Sequence, residues 1–195
     1  MSEDENEPFY IENFIEIPEV LNSFETGKPF SQCVDCGTQL LEDGPPYVIQ
    51  KAFKESEVLV EYAQCFSCYE ELTSSYSKQT MTDLWNFFLD SCDFENRKKR
   101  LLEESPHELG PWIENCLTCG KSKDDVSSYA LLGQCDGPHL LFYYLPYIIC
   151  EGCQMRIHEL MSSKSRDIWD RWYEDNIGAP PVMANDFTPG KVVLV

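Results

Sequence analysis

Eight of the ten cysteines in this 195-residue sequence stand in four C-x-x-C pairs: Cys33/Cys36, Cys65/Cys68, Cys116/Cys119 and Cys150/Cys153. Two thiolates separated by two residues can face one ion if the backbone turns tightly between them. Four such thiolates make a tetrahedral set that zinc takes at structural sites. The strings CVDCG (33–37) and CLTCG (116–120) both place glycine directly after the second cysteine. A glycine there can adopt positive φ and turn amide N–H groups toward the sulfurs. The pairs at 65–68 and 150–153 are not followed by glycine and run into CYEELTSSY and CQMRIHELM. Leu72 with Tyr76, and Ile157 with Met161, then share a helical face, so each second pair is expected at the first turn of a helix. The positive end of the helix dipole favours thiolates there.

The two halves repeat this order. The segment from Cys36 to Cys65 encloses 28 residues and that from Cys119 to Cys150 encloses 30. PPYVIQKAF in the first half matches SSYALLGQC in the second, and DLWNFFLD (from Asp83) matches DIWDRWYED (from Asp167). That match sets Trp85 against Trp169 and Phe88 against Trp172. An ordered series of this kind reads as an internal duplication.

The elements that must position the cysteines follow from the residues between them. YVIQKAF with VLVEYAQ, and SYALLGQ with LLFYYLPYII, read as β-runs joined at turns. Each half is then a glycine knuckle, a β-hairpin and a helix that opens on the second ligand pair. The expected fold class is α+β: two tandem duplicated zinc-binding modules with extra helical segments. Residues 1–28 form an acidic N-terminal segment, 29–92 the first four-cysteine module and 93–111 a linker helix broken by Ser-Pro and Gly-Pro. Residues 112–176 form the second four-cysteine module and 177–195 a C-terminal tail ending in KVVLV. Whether the modules pack together or stand apart is open from the sequence, as is the oligomeric state.

This arrangement resembles the treble-clef zinc-finger fold group, in two tandem copies, with no particular family indicated. The resemblance implies one structural Zn2+ per module, two per chain, held by Cys33, Cys36, Cys65 and Cys68 and by Cys116, Cys119, Cys150 and Cys153. Iron remains an alternative metal, although rubredoxin-type sites carry glycine knuckles on both loops. A redox dithiol fits poorly with four duplicated pairs. Ligand exchange between the halves is disfavoured because each holds a complete set. Cys92 and Cys135 have no counterparts and read as small apolar residues or surface thiols. His107, His139 and His158 show no ligand spacing. Lys51, Lys121 and Lys123 could soften thiolate charge but read as ordinary solvated charges.

The sequence has 34 acidic and 15 basic side chains, a net charge of -19, which disfavours phosphate backbones and anionic membranes. The N-terminal MSEDENEPFY is unlike a secretory signal, and the longest apolar stretch is too short to cross a bilayer. These features, with ten cysteines, predict a cytoplasmic, reducing location. No nucleophile elbow, phosphate loop or H-E-x-x-H is present, and a four-cysteine zinc site has no open position for a catalytic water. No catalytic or organic-cofactor residue is therefore assigned. The expected function is non-enzymatic: a zinc-stabilised protein-interaction or regulatory module. Its partner surface is sought at Trp85, Phe88, Trp169 and Trp172, or in the acidic N-terminus. The alternatives are a nucleic-acid-associated zinc finger or acidic nucleic-acid mimic, and a thiol redox protein. The basic run NRKKR (96–100) is expected to be a solvated helix face with i,i+4 pairs.

Overall fold

The computed structural model describes residues 13–178; the acidic residues before Asn13 and the KVVLV tail lie outside them. The chain runs β1 (Phe14–Glu16), β2 (Tyr47–Lys54), β3 (Glu57–Cys65), α1 (Phe66–Ser74), α2 (Lys78–Ser91), α3 (Phe94–Glu104) and α4 (Leu109–Trp112). It continues through β4 (Ser128–Asp136), β5 (His139–Leu141), β6 (Tyr147–Cys150), α5 (Glu151–Leu160) and α6 (Ser163–Asn176).

The six strands form one antiparallel sheet in the order β1-β5-β4-β2-β3, with β6 also paired to β4. β2 comes from the first half and β4 from the second, so the hairpins join through their inner strands. In the repeat, Gln50 corresponds to Leu132, and these two residues are direct partners in the β2–β4 register. Tyr47 lies opposite Cys135, while its counterpart Tyr129 lies opposite Phe53. The ladder therefore maps onto itself by a local twofold at Gln50 and Leu132. The halves share a sheet, which resolves whether they stand apart.

Central position makes β2 buried along nearly its whole length, because both faces of the sheet are covered. Val48, Ala52, Ala130, Leu132 and Ile149 face the helices α1, α2, α5 and α6. On the other face, Tyr47, Ile49 and Leu131 pack with Leu21 of the N-terminal segment, Leu101 of α3 and Trp112 of α4. The linker thus supplies one wall of the second core. Gly133 fits closely there: a Cβ would meet Leu140 Cδ1 and Leu21 Cδ1 at 3.1 Å each, and those side chains would have to shift.

One expected strand is interrupted. LLFYYLPYII divides into β5 and β6, and residues 142–146 loop out opposite Gly133. Pro146 has no N–H to give to a ladder and is joined to Leu145 by a cis peptide. The Arg97 guanidinium seats the loop by donating to the carbonyls of Tyr144 (3.2 Å), Trp112 (2.7 Å) and Pro146 (3.0 Å). The run 96–100 is therefore only partly a solvated face. Lys98–Glu95 and Arg100–Glu104 are surface pairs, but Arg97 clamps the linker to the second half. Burial lowers its pKa to about 10, so it stays charged at neutral pH.

α2 and α6 begin side by side at a cluster of four hydroxyls. Ser77 caps α2 and Ser162 caps α6. The Ser77 N–H donates to Ser165 Oγ (2.9 Å), and the Ser162 N–H donates to Thr80 Oγ1 (2.9 Å). Each helix thus satisfies the exposed donor of the other's cap, as a capping-box glutamate does within one helix. Thr80 and Ser165 are fully buried. Thr80→Val keeps the shape but strands the Ser162 N–H, and should lower stability by about 1–3 kcal/mol. A urea titration of the variant checks this; an unchanged midpoint would show that the crossed caps contribute nothing.

The crossed caps also correct the repeat's register. They align Ser77 with Ser162 and Thr80 with Ser165, so Leu84 corresponds to Trp169, Phe88 to Tyr173 and Trp85 to Asp170. Matching tryptophan to tryptophan slips the helices by one residue, about 100° around the axis. Leu84, Phe88, Trp169, Trp172 and Tyr173 are buried, whereas Trp85 is 61% exposed.

Candidate metal centres

The knuckles are built alike. In the first, the Cys33 N–H donates to Thr38 O (2.9 Å), and the Gly37 N–H donates to Cys33 O (2.9 Å). In the second, Cys116 N–H donates to Lys121 O (2.8 Å), and Gly120 N–H to Cys116 O (2.9 Å). Gly37 and Gly120 have φ of 71° and 72°, the left-handed region that the turn requires. Each knuckle docks on the strand that leads to its second pair: Val34 N–H donates to Ala63 O, and Leu117 N–H to Ile148 O, both at 2.8 Å.

Cys65 and Cys150 are the N-caps of α1 and α5, and Cys68 and Cys153 lie in the first turns. The Cys65 N–H donates to Cys33 Sγ, and the Cys150 N–H to Cys116 Sγ, both at 3.3 Å. Cys33, Cys36, Cys65 and Cys68 come together with all four sulfurs within 4.8 Å of one another, and so do Cys116, Cys119, Cys150 and Cys153.

The spacing fits a metal. Sulfurs at about 2.3 Å from a tetrahedral zinc lie about 3.8 Å apart along each edge. Cys36 Sγ to Cys65 Sγ is 3.8 Å, and Cys119 Sγ to Cys150 Sγ is 3.6 Å. Both are far longer than a disulfide bond, and all ten cysteines are free.

Environment divides the thiols. Cys36 is lowered to about 6, chiefly by the hydroxyl and amide of Thr38. Burial pushes Cys116 up, but amide donors led by Cys150 outweigh it and bring it to about 7. Burial raises Cys65 and Cys68, and it raises Cys150 to about 11 and Cys153 well above its usual range. The helix-start position alone would favour thiolates; burial wins. A metal bound at these positions would displace protons from the second pairs.

The remaining candidates lie elsewhere. Cys135 is buried and is pushed up to about 12 by burial, so it behaves as a small apolar residue. Cys92 is half-buried at the end of α2, and burial raises it. His139 packs on Phe14 in β1, with ring centroids 4.7 Å apart. His107 and His158 belong to neither four-sulfur group. Lys121 serves the second knuckle through its carbonyl.

Lys51 is not a solvated charge. It is buried, forms an ion pair with Glu61 at 3.0 Å and donates to Asn22 O. Glu61 also accepts from the Phe24 N–H at 2.7 Å and from Ser23 Oγ at 3.0 Å. Burial pushes the Glu61 carboxyl up, but the Phe24 amide, Lys51 and Ser23 outweigh it and hold it below its ordinary value.

Asp35 is a contact that sequence reasoning missed. It lies inside the first C-x-x-C and accepts from Trp172 Nε1 of α6 (2.8 Å) and from Gln64 Nε2 (3.2 Å). The first knuckle is thereby tied to the last helix of the other half. A carboxylate inside the motif was the only signal, and nothing local pointed to a partner 137 residues away.

A cleft of about 550 Å³ opens between the end of α2 and the 142–146 loop, lined by Trp85, Leu89, Phe94, Tyr144 and Leu145 among others. Leu89 is 54% exposed. Among the described residues, no helix is long and apolar enough to cross a membrane.

Fold and sites together define a mixed α/β protein: one six-stranded antiparallel sheet, flanked by helices and carrying two four-cysteine clusters that could hold metal ions. Comparison with family models, curated proteins and solved structures finds no match for this chain.

Proposed function

We propose that this protein is a non-enzymatic, zinc-stabilised module that binds another protein, with each half a treble-clef finger. Bound by four thiolates, zinc would join knuckle to helix and keep no open position for a substrate or catalytic water. Cysteine-only donor sets suit zinc, and the absence of a second glycine knuckle argues against a rubredoxin-type iron site.

The observation that carries the binding role is the cleft at the end of α2. Trp85 and Leu89 are apolar side chains more than half exposed, beside the aromatic walls of Phe94 and Tyr144. An exposed tryptophan at the mouth of an apolar cleft is what a protein interface uses as an anchor. Phe88, Trp169 and Trp172 are interior and form the scaffold behind it. The high negative charge supports a protein partner over nucleic acid.

The test compares affinity capture from the native host by the wild-type chain and by Trp85→Ala/Leu89→Ala. A specific partner should be retained by the first and lost by the second, as hot-spot truncation costs about 2–4 kcal/mol. The wild-type chain and the double variant should both keep two zinc ions per chain. Equal capture by both would place the interface elsewhere.

A further inference from the structure

The apolar cleft adjoins a second groove of similar size, lined by Arg97, Lys99 and Arg100 among others, with Cys92 and Asp93 common to both. The composite surface has an apolar half and a mixed half, in which Lys99 and Arg100 are exposed cations beside Asp93 and Glu103 and Arg100 is paired with Glu104, in a protein that is otherwise strongly acidic. It suits a segment that carries aromatic residues at one end and carboxylates at the other.

This chain contains such a segment, and the structure places its exit beside the cleft. β1 pairs with β5 with Phe14 opposite Leu141, and one position further the Phe142 N–H donates to Asn13 O at 2.8 Å. Asn13 therefore lies beside the start of the 142–146 loop, and Tyr144 and Leu145 of that loop form one wall of the cleft. Phe9, Tyr10 and Ile11 stand two to four positions before Asn13, on the order of 7–13 Å of extended chain. Glu3, Asp4, Glu5 and Glu7 lie beyond them, on the order of 20–33 Å out. Along the chain the apolar triplet lies nearer to Asn13 and the carboxylates farther from it.

We propose that residues 3–11 are the cleft's resident occupant in cis. Phe9, Tyr10 and Ile11 dock against Trp85, Leu89 and Leu145, and the acidic residues face Lys99 and Arg100. The N-terminus is then an intramolecular guard that a partner must displace. Intramolecular tethering makes even a weak contact effective, because the local concentration is set by the short connection at Asn13. The inference rests on reading this cleft as the docking surface, but it can be tested without any partner.

The test uses the zinc-loaded full chain and Trp85 as reporter. Trp112, Trp169 and Trp172 are buried, so acrylamide quenching reads mainly Trp85, and a Trp85→Phe variant confirms that assignment. In the full chain Trp85 should be protected. Phe9→Ala/Tyr10→Ala/Ile11→Ala, which changes none of the described core residues, should raise the quenching constant and shift the emission to the red. Deletion of residues 1–12 should do the same, and high salt should weaken the protection partially. Equal quenching in the full chain and the triple variant overturns the proposal while leaving the partner reading standing. Protection that grows with protein concentration also overturns it, since the occupant would then be a second copy. If the cis contact is confirmed but no partner is captured, the proposed function falls instead.

Discussion

Stripping the metal from the loaded protein is expected to unfold both halves in a single transition. Structural zinc in small fingers carries an apparent binding free energy of about 10–16 kcal/mol per site. Whole domains are stable by only about 5–15 kcal/mol, so loss of either site consumes the margin. Independent fingers would melt separately. Here the β2–β4 ladder runs from Tyr47–Cys135 to Lys54–Ser128, the crossed caps join α2 to α6, and Asp35 of the first knuckle holds Trp172. Cys65→Ser and Cys150→Ser should therefore each lower the melting temperature of the whole protein. Native mass spectrometry should count two zinc ions per chain, and circular dichroism during chelation should show one cooperative loss. A chelated chain that keeps its structure, or a stoichiometry other than two, would refute the metal assignment. Two resolved transitions would refute the coupling.

Lys51→Met is expected to be among the most damaging substitutions away from the cysteines. It leaves Glu61 charged and largely enclosed, with side-chain exposure of 17%. Breaking one side of a buried pair costs about 3–5 kcal/mol. Lys51 also holds Asn22 O, and Glu61 holds the Phe24 amide, so the N-terminal segment that carries Leu21 should loosen from the sheet. The pH dependence follows from the Glu61 carboxyl, whose folded pKa lies below its ordinary value. In the wild type its contribution is present above the ordinary carboxylate pKa and is lost as pH falls through the lowered folded value. In the variant the cation is gone while burial and the Phe24 and Ser23 donors remain, so the carboxyl's folded pKa rises relative to the wild type and acid costs the variant less. The stability gap measured by urea titration should be widest near neutrality and narrow toward acid. A gap that is small, or that is constant with pH, would show that the pair is not what anchors this segment.

How much of this was legible in the sequence depends on how local each cause is. The eight candidate ligands could be read directly, because C-x-x-C spacing, glycine at positive φ and a helix start are short-range facts. The repeated order of residue types was visible for the same reason. Its register in the helices was not: Trp85 and Trp169 match as letters, but the caps at Ser77 and Ser162 set the alignment one residue away. That displacement decides which tryptophan is buried.

The sequence by itself determined the two four-cysteine groups, the hairpin-and-helix order around each, and the acidity of the chain. Only the tertiary structure decided that the halves share one sheet and that linker and N-terminal segment cover its second face. It alone made Lys51 and Arg97 interior clamps and, of the four tryptophans, left Trp85 exposed. The physical reason is range. Turns, caps and ligand pairs are fixed by neighbours a few residues apart, whereas burial and pairing depend on which distant surfaces meet. Gln50 can lie opposite Leu132 only after the whole chain has folded.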